Sequence, residues 1–272
     1  MKKLRWSLIA SVIAVSGMSA QTLTDAIKQT RNEQFESAET IYKKLIQAKE
    51  GNLGDLYFYY GENFFKNENL EMANEMYQAG ADVNATNPLP YVGLGKVQWY
   101  QGKQTEAKAS FYKATTLGGG KNATVLLKIA ETYINADKKN LPEAFTLLAT
   151  AAKLDPKNPE VYLFMGDAYL EQNDGSKAIE NYEKAGSLDP KSVRAILRQG
   201  QLYNRAKNYT LALDLYKKAS LIDSSFAPAY REKAEIFFRA GQYNNAVAQY
   251  KKYLQLNDNC GARGRYAGFL FK

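Results

Sequence analysis

Apolar and small residues recur along this chain with a period of 34 residues. Counting from Pro159 as position 1, Tyr162, Gly166, Tyr169, Ala178, Tyr182, Ala185 and Pro190 stand at positions 4, 8, 11, 20, 24, 27 and 32. One period later come Ile196, Gly200, Tyr203, Ala212, Tyr216, Ala219 and Ser224, and after another Tyr230, Ala234, Phe237, Ala246, Tyr250, Tyr253 and Asp258. Towards the N-terminus, Ala130, Tyr133, Ala144, Leu148, Ala151 and Pro156 fit if two extra residues sit in the Asp137–Leu141 turn. Tyr91, Gly95, Ala107, Phe111 and Ala114 precede them, and Tyr57, Gly61, Phe64, Ala73, Tyr77 and Gly80 come earlier still. The first unit keeps only Ala38, Tyr42 and Leu45 of its second half.

Large residues at positions 4 and 11 flanking a small one at 8 make one face of a first helix. Small residues at 8 and 20 let a second, antiparallel helix approach closely, and the aromatic at 24 fills the space beside them. Alanine at 27 admits the next unit, and proline or aspartate near 32 sets the turn. A single hairpin cannot bury such a face, so neighbouring hairpins must stack into a solenoid. Twelve of the 20 tyrosines fall at positions 4, 11 and 24, which makes them packing residues.

This pattern resembles the tetratricopeptide repeat. The resemblance implies an all-α, right-handed solenoid of about seven helical hairpins, near residues 22–50, 54–86, 88–119, 123–156, 159–190, 193–224 and 227–258. Continuing the register places Gly268 and Phe271 in a first helix of an eighth unit, so residues 259–272 read as an incomplete repeat. The reading expects a longer protein, or an end that self-associates through Tyr266, Phe269, Leu270 and Phe271.

Residues 1–20 interrupt the periodicity. Lys2, Lys3 and Arg5 precede an apolar stretch from Trp6 to Val15 and the small-residue segment Ser16–Ala20, the layout of a secretory signal peptide. The stretch falls short of the roughly 20 residues that a membrane-spanning helix needs. The expected location is therefore the periplasm of a Gram-negative bacterium, as a protein without a transmembrane segment. The first twenty residues hold three of the 36 basic side chains and none of the 28 acidic ones, so the remainder carries +5. That is too little for a nucleic-acid footprint.

The composition, 45% hydrophobic and 24% charged, is that of a folded soluble protein. With no histidine, histidine acid–base chemistry is excluded, and the single cysteine, Cys260, cannot form an internal disulfide. Carboxylate pairs such as Glu36/Glu39 and Glu180/Glu183 have helix-surface spacing. Gly118-Gly119-Gly120-Lys121 lacks the remaining features of a phosphate loop and reads as a helix cap or hinge between the third and fourth hairpins. No catalytic constellation, metal site or cofactor is expected.

In the tetratricopeptide family the first helices line a concave groove, with groove-facing residues near positions 2, 5, 6, 9, 12 and 13. By that rule Phe58, Tyr59, Phe65, Lys96, Trp99 and Tyr100 make an aromatic N-terminal half. Arg194, Arg198, Arg205, Arg231 and Arg239 make an arginine-rich C-terminal half. Aromatic and arginine side chains favour protein contacts, while Phe164 and Phe238 read as residues covering adjacent helices. The basic clamp by which some family members hold a chaperone's C-terminal carboxylate is incomplete here. Leu127, Glu131 and Phe164 stand where a lysine and two asparagines belong. The expected role is a non-catalytic protein- or peptide-binding scaffold of the bacterial envelope. The alternatives are an arm of a secretion or outer-membrane assembly complex, or the docking domain of a longer enzyme.

Overall fold

The computed structural model describes residues 21–257, and within them every regular element is a helix. The fourteen helices form seven antiparallel hairpins: α1 Leu23–Arg31 with α2 Phe35–Ala48, α3 Leu53–Lys66 with α4 Leu70–Val83, and α5 Pro88–Tyr100 with α6 Gln104–Leu117. They continue as α7 Ala123–Asn135 with α8 Leu141–Leu154, α9 Pro159–Glu171 with α10 Gly175–Leu188, α11 Val193–Arg205 with α12 Tyr209–Ile222, and α13 Ala227–Arg239 with α14 Tyr243–Leu256. The signal-like segment, the incomplete eighth unit and Cys260 lie outside the described residues.

Local chemistry explains where each helix starts and turns. Asn52, Asn87, Asn122, Asn158 and Ser192 cap first helices by accepting a hydrogen bond from a backbone N–H in the first turn. Inside six of the hairpins the residue at position 15 is left-handed: Glu33, Glu68, Gly102, Asn173, Lys207 and Gly241, with φ between 61° and 79°. Only two of these are glycine, so four hairpins hold a residue in a conformation that side chains disfavour. The fourth hairpin turns differently, through Ala136–Asn140, and there the two additional residues sit. Gly118 caps α6, and Gly119 and Gly120 carry the chain towards α7 with positive φ.

Packing follows the small and aromatic positions. Tyr42, Tyr77, Tyr182 and Tyr216 of the second helices are fully buried. Each of the last three lies directly on the glycine at position 8 of its own hairpin, Gly61, Gly166 and Gly200, where a methyl group would overlap the ring. Tyr77 is also covered by Gly93 of the following hairpin. Alanines 38, 73, 107, 144, 178, 212 and 246 at position 20 are buried almost completely, which lets paired helices touch backbone to backbone.

The superhelix curls until its ends meet. The Glu33 carboxylate, in the turn of the first hairpin, lies 2.6 Å from the Arg231 guanidinium of the seventh, and accepts hydrogen bonds of 2.9 Å from Tyr253 and from Asn257. Beside it, Asn32 donates to Ser225 at 2.8 Å and to Asp223 at 3.2 Å, and Lys28 pairs with Asp223 at 3.1 Å. Arg31 reaches Glu160 of the fifth hairpin at 3.8 Å.

Two outcomes test these features. Gly166→Ala forces a methyl into the Tyr182 ring and is expected to cost about 1–3 kcal/mol, seen as a lowered Tm in thermal melts followed by circular dichroism. Glu33→Gly removes the clasp while relaxing the left-handed turn, so the first hairpin stays intact. It should raise the radius of gyration measured by small-angle X-ray scattering, and an unchanged value would show that the ends stay closed without Glu33.

Candidate functional site

Closure turns the concave face into an interior. Two adjoining cavities, of about 180 and 300 Å³, share Arg31, Lys66, Glu131, Phe164 and Arg194 as walls. The smaller is completed by Ile27, Thr30, Tyr42, Tyr59, Glu62, Thr124, Leu127, Lys128, Asn158 and Glu160. The larger adds Glu33, Asn135, Leu197, Arg198, Gln201, Phe226, Pro228 and Arg231. Most of these side chains come from first helices and occupy positions 2, 5, 6, 9 or 13. The first hairpin supplies Arg31, the last residue of α1, and Glu33 of the following turn across the ring.

A polar ladder runs beneath this surface. Lys96 is buried with its ammonium 2.8 and 3.0 Å from the two oxygens of Glu62, and Tyr77 donates to Glu62 at 2.6 Å. Lys128 sits 2.7 Å from Glu131 and 3.8 Å from Glu62. The arrangement returns three hairpins later, where Tyr182 donates to Asp167 at 2.8 Å and Arg198 lies 3.0 Å from the same carboxylate. Further on, Glu232 accepts from Gln201 at 2.8 Å and from Tyr216 at 3.4 Å. In the first two cases a second-helix tyrosine orients a carboxylate at position 9, and a cation from the next hairpin neutralises it.

The titration of these groups follows from burial opposed by charge. Burial raises the Glu62 carboxyl, but Lys96 and Lys128 outweigh it and hold Glu62 below its ordinary value. Glu131 is likewise lowered, by Lys128, Lys96 and Lys66 against burial. Glu160 is lowered by Arg194 and Arg31 against burial. Burial lowers Lys128, yet Glu131 and Glu62 raise it overall. Lys66 behaves in the opposite way: burial and then the Arg194 charge push it down to about 8. Its side chain is exposed and lines both cavities.

The residues expected to contact a partner divide sharply. Phe58 is 1% exposed and packs on Tyr59 and Tyr77, and Trp99 is 5% exposed. Both belong to the core, which corrects the expectation that they face a partner. For Trp99 the cause is the longer Ala136–Asn140 turn, which brings the Lys138 carbonyl to 2.9 Å from the indole N–H, while Tyr133 packs edge-on against the ring. Lys96 is likewise buried, in its pair with Glu62 and over the Phe65 ring at 4.2 Å. Tyr59 and Phe65 are half-buried, and Tyr100, 37% exposed, meets Phe65 edge-on.

The arginines are mostly engaged. Arg194 pairs with Glu160 and lies over Phe164, Arg198 pairs with Asp167, and Arg231 pairs with Glu33. Arg205 donates to Asn173 at 2.6 Å, and Arg239 pairs with Glu235 within its own helix. Phe164 is buried, while Phe238 is exposed beside Tyr243. Arg31, Glu33 and Glu160 belong to the cavity without having been singled out from the sequence. For Glu160 the position-2 rule was available. For Arg31 the position-13 rule was available as well, while Glu33, at position 15, carried no local signal, because its partners Arg231, Tyr253 and Asn257 lie across nearly the whole chain.

Among the described residues no cluster of histidine, cysteine or acidic side chains could hold a metal ion, and no helix is long and apolar enough to cross a membrane. The Glu62–Lys96 pair carries the testable consequence. Glu62→Gln leaves Lys96 buried without its counter-charge and is expected to cost about 3 kcal/mol in chemical denaturation. Adding Lys96→Met should restore most of that loss, and equal destabilisation in the single and double variants would show that the pair is not coupled.

Sequence profiles described as tetratricopeptide repeat match residues 136–192, 165–228, and both 90–117 and 227–260, together more than half of the chain. A search of curated proteins found no match. Solved structures share the architecture at low sequence identity. Human IFIT1, in a dimer with m7Gppp-AAAA, superposes with a TM-score of 0.64 at 15% identity, over 92% of this chain and 62% of that one. A chain of the Cut9–Hcn1 hetero-tetramer of the APC/C gives 0.55 at 14% identity, over 92% of this chain and 48% of its own. PilF of Pseudomonas aeruginosa gives 0.50 at 17% identity, over 79% and 97%. This chain thus spans about half the length of the Cut9–Hcn1 chain and under two thirds of IFIT1. Repeats of this kind generally serve as non-catalytic scaffolds for protein interaction. On its repeat register, its fourteen-helix solenoid and its sequence profiles, the chain belongs to the tetratricopeptide repeat family.

Proposed function

We propose that this protein is an interaction scaffold of the bacterial envelope whose binding surface is the interior of the closed superhelix. The observation that carries the reading is the wall of the interior. Side chains from five hairpins converge on one concave space, with the half-buried Ile27 and Tyr59 beside fixed charges. A concave site with an apolar lining and a few convergent polar groups is the usual form of a recognition pocket. Among the described residues the exterior offers scattered large apolar residues, such as Tyr112 and Leu221 on second helices. The signal-like residues 1–20 support export, and the mild positive charge of the remainder argues against nucleic acid as the partner.

The half-buried and exposed aromatics Tyr59, Phe65 and Tyr100 make the remaining part of the expected aromatic surface. They supply large contact area at small entropic cost. The alternative, an arm of a secretion or outer-membrane assembly complex, uses the same interior surface and differs only in the permanence of the partner.

The test places a photo-crosslinking residue at Tyr59 or Tyr100 inside, and at Tyr112 or Leu221 outside, in the tagged full-length chain expressed in a Gram-negative host. Protein adducts are expected at the interior positions, from the periplasmic fraction. Adducts confined to Tyr112 and Leu221 would overturn the interior reading, and recovery of the whole pool from the cytoplasm would overturn the location.

A further inference from the structure

A third cavity lies at the rim of the interior, where the first helices of the second, third and fourth hairpins begin. Its volume is about 440 Å³, and Asp55, Tyr59, Asn84, Asn87, Asn122 and Thr124 supply most of its polar wall. No lysine or arginine lines it, in contrast to the two cavities of the interior. Its floor is fixed. The buried Asn87 accepts a hydrogen bond of 2.9 Å from the Leu89 N–H, and its NH2 group donates to Asn52 at 3.1 Å and to Asp55 at 2.7 Å. One oxygen of Asp55 is thereby held, while the other makes no hydrogen bond or ion pair among the described residues. The Asn84 carbonyl oxygen accepts from the Thr86 hydroxyl at 2.9 Å, and that of Asn122 accepts from the Val125 N–H at 3.2 Å. Both amides are therefore oriented, and neither NH2 group has a partner among the described residues. Tyr59, half-buried and one turn beyond Asp55 on α3, is braced edge-on by Phe58.

We propose that this cleft binds a neutral pyranose unit of a glycan, with adjacent ring hydroxyls on Asp55, Asn84 and Asn122 and the C–H face of the sugar on Tyr59. A hydroxyl both donates and accepts, so a pair of neighbouring hydroxyls gives to the free carboxylate oxygen and takes from the free amide NH2 groups. One face of a pyranose is a sheet of C–H bonds, which suits an aromatic side chain. The size is that of a small-molecule site, roughly 300–1,000 Å³. Other ligand classes match the wall less well. An anion meets the Asp55 carboxylate and no cation. A metal ion finds one carboxylate, and no group of acidic, cysteine or histidine ligands stands there among the described residues. A peptide strand brings one donor and one acceptor per residue and needs recesses for its side chains, whereas this wall is mainly amides, hydroxyls and a carboxylate. Because three successive hairpins hold the groups in place, a ligand finds them already ordered.

The cleft is a site additional to the protein-binding interior and stands or falls separately from it. The probes are the methyl glycosides of glucose, galactose, mannose and N-acetylglucosamine, added to the full chain labelled with 15N. Glucuronic acid, glycerol and the peptide N-acetylglycine methylamide are the controls. The side-chain NH2 signals of Asn84 and Asn122 are assigned by their loss in Asn84→Asp and Asn122→Asp, the latter keeping a residue able to cap α7. At least one glycoside should shift both signals along a saturating curve, and more strongly than any control. Asp55→Asn preserves the shape and an acceptor for Asn87, and it should weaken that glycoside about tenfold, the loss of a hydrogen bond to a charged group. Tyr59→Leu should weaken it several-fold and Tyr59→Phe should retain it, since the ring face makes the contact. Thermal melts establish that each variant is folded. No saturable shift from any glycoside, or a larger response to glucuronic acid or to the peptide, would overturn the proposal. So would an equal response to glycerol, which means an adventitious polyol only, or unchanged affinity in folded Asp55→Asn and Tyr59→Leu.

Discussion

A second-helix tyrosine ring lying on a first-helix glycine is the contact from which the architecture of this protein follows. Tyr77 on Gly61, Tyr182 on Gly166 and Tyr216 on Gly200 fix how closely each pair of helices approaches, because nothing larger than hydrogen fits under the ring. The same tyrosines deliver a hydroxyl to the inner face, where Tyr77 and Tyr182 orient Glu62 and Asp167. The residue that sets the packing distance thus also positions the first charge of the interior. A buried carboxylate needs a counter-charge, and the following hairpin provides it through Lys96 or Arg198. The second and third hairpins, and the fifth and sixth, are thus tied by charge as well as by apolar packing.

Repetition of this unit has a geometric consequence. Seven stacked hairpins bring the turn around Glu33 against Arg231, Tyr253 and Asn257, so the open groove of a repeat stack becomes a walled interior. Burial lowers the Arg231 guanidinium, but the Glu33 charge more than reverses this, and the clasp is a strongly ionised pair. Closure also occupies part of the seventh hairpin's concave face with the protein's own first turn. Arginine-rich surface that would otherwise be free is mostly engaged, and the ammonium of Lys66 is left as the unsatisfied charge of the cavity.

The fold was almost wholly legible in the linear pattern. Tyrosine, glycine and alanine at set positions report on contacts made within one hairpin or between successive ones, and such contacts lie within two periods of each other in the chain. The insertion in the Asp137–Leu141 turn was visible for the same reason, as a two-residue slip in the register. The site was legible only by half. Positions 2, 5, 6, 9 and 13 do line the interior, but position does not reveal whether a side chain stands on the wall or within it. Trp99 is in the core because a turn 39 residues away covers its indole, and Phe58 because Tyr77 lies against it.

By itself, then, the chain's pattern determined the hairpins, their order and the face each helix turns inward, since those depend on local periodicity and on neighbours one repeat apart. Only the tertiary structure decided that the stack closes, that Arg194, Arg198 and Arg231 are bound to carboxylates of other hairpins, and that Lys66 is not. The physical reason is the range of the interaction. Small displacements per repeat accumulate over seven hairpins before residues about 200 positions apart, such as Glu33 and Arg231, meet. No periodicity in the sequence encodes that sum, and the charge left over in the cavity is known only once every pair around it has formed.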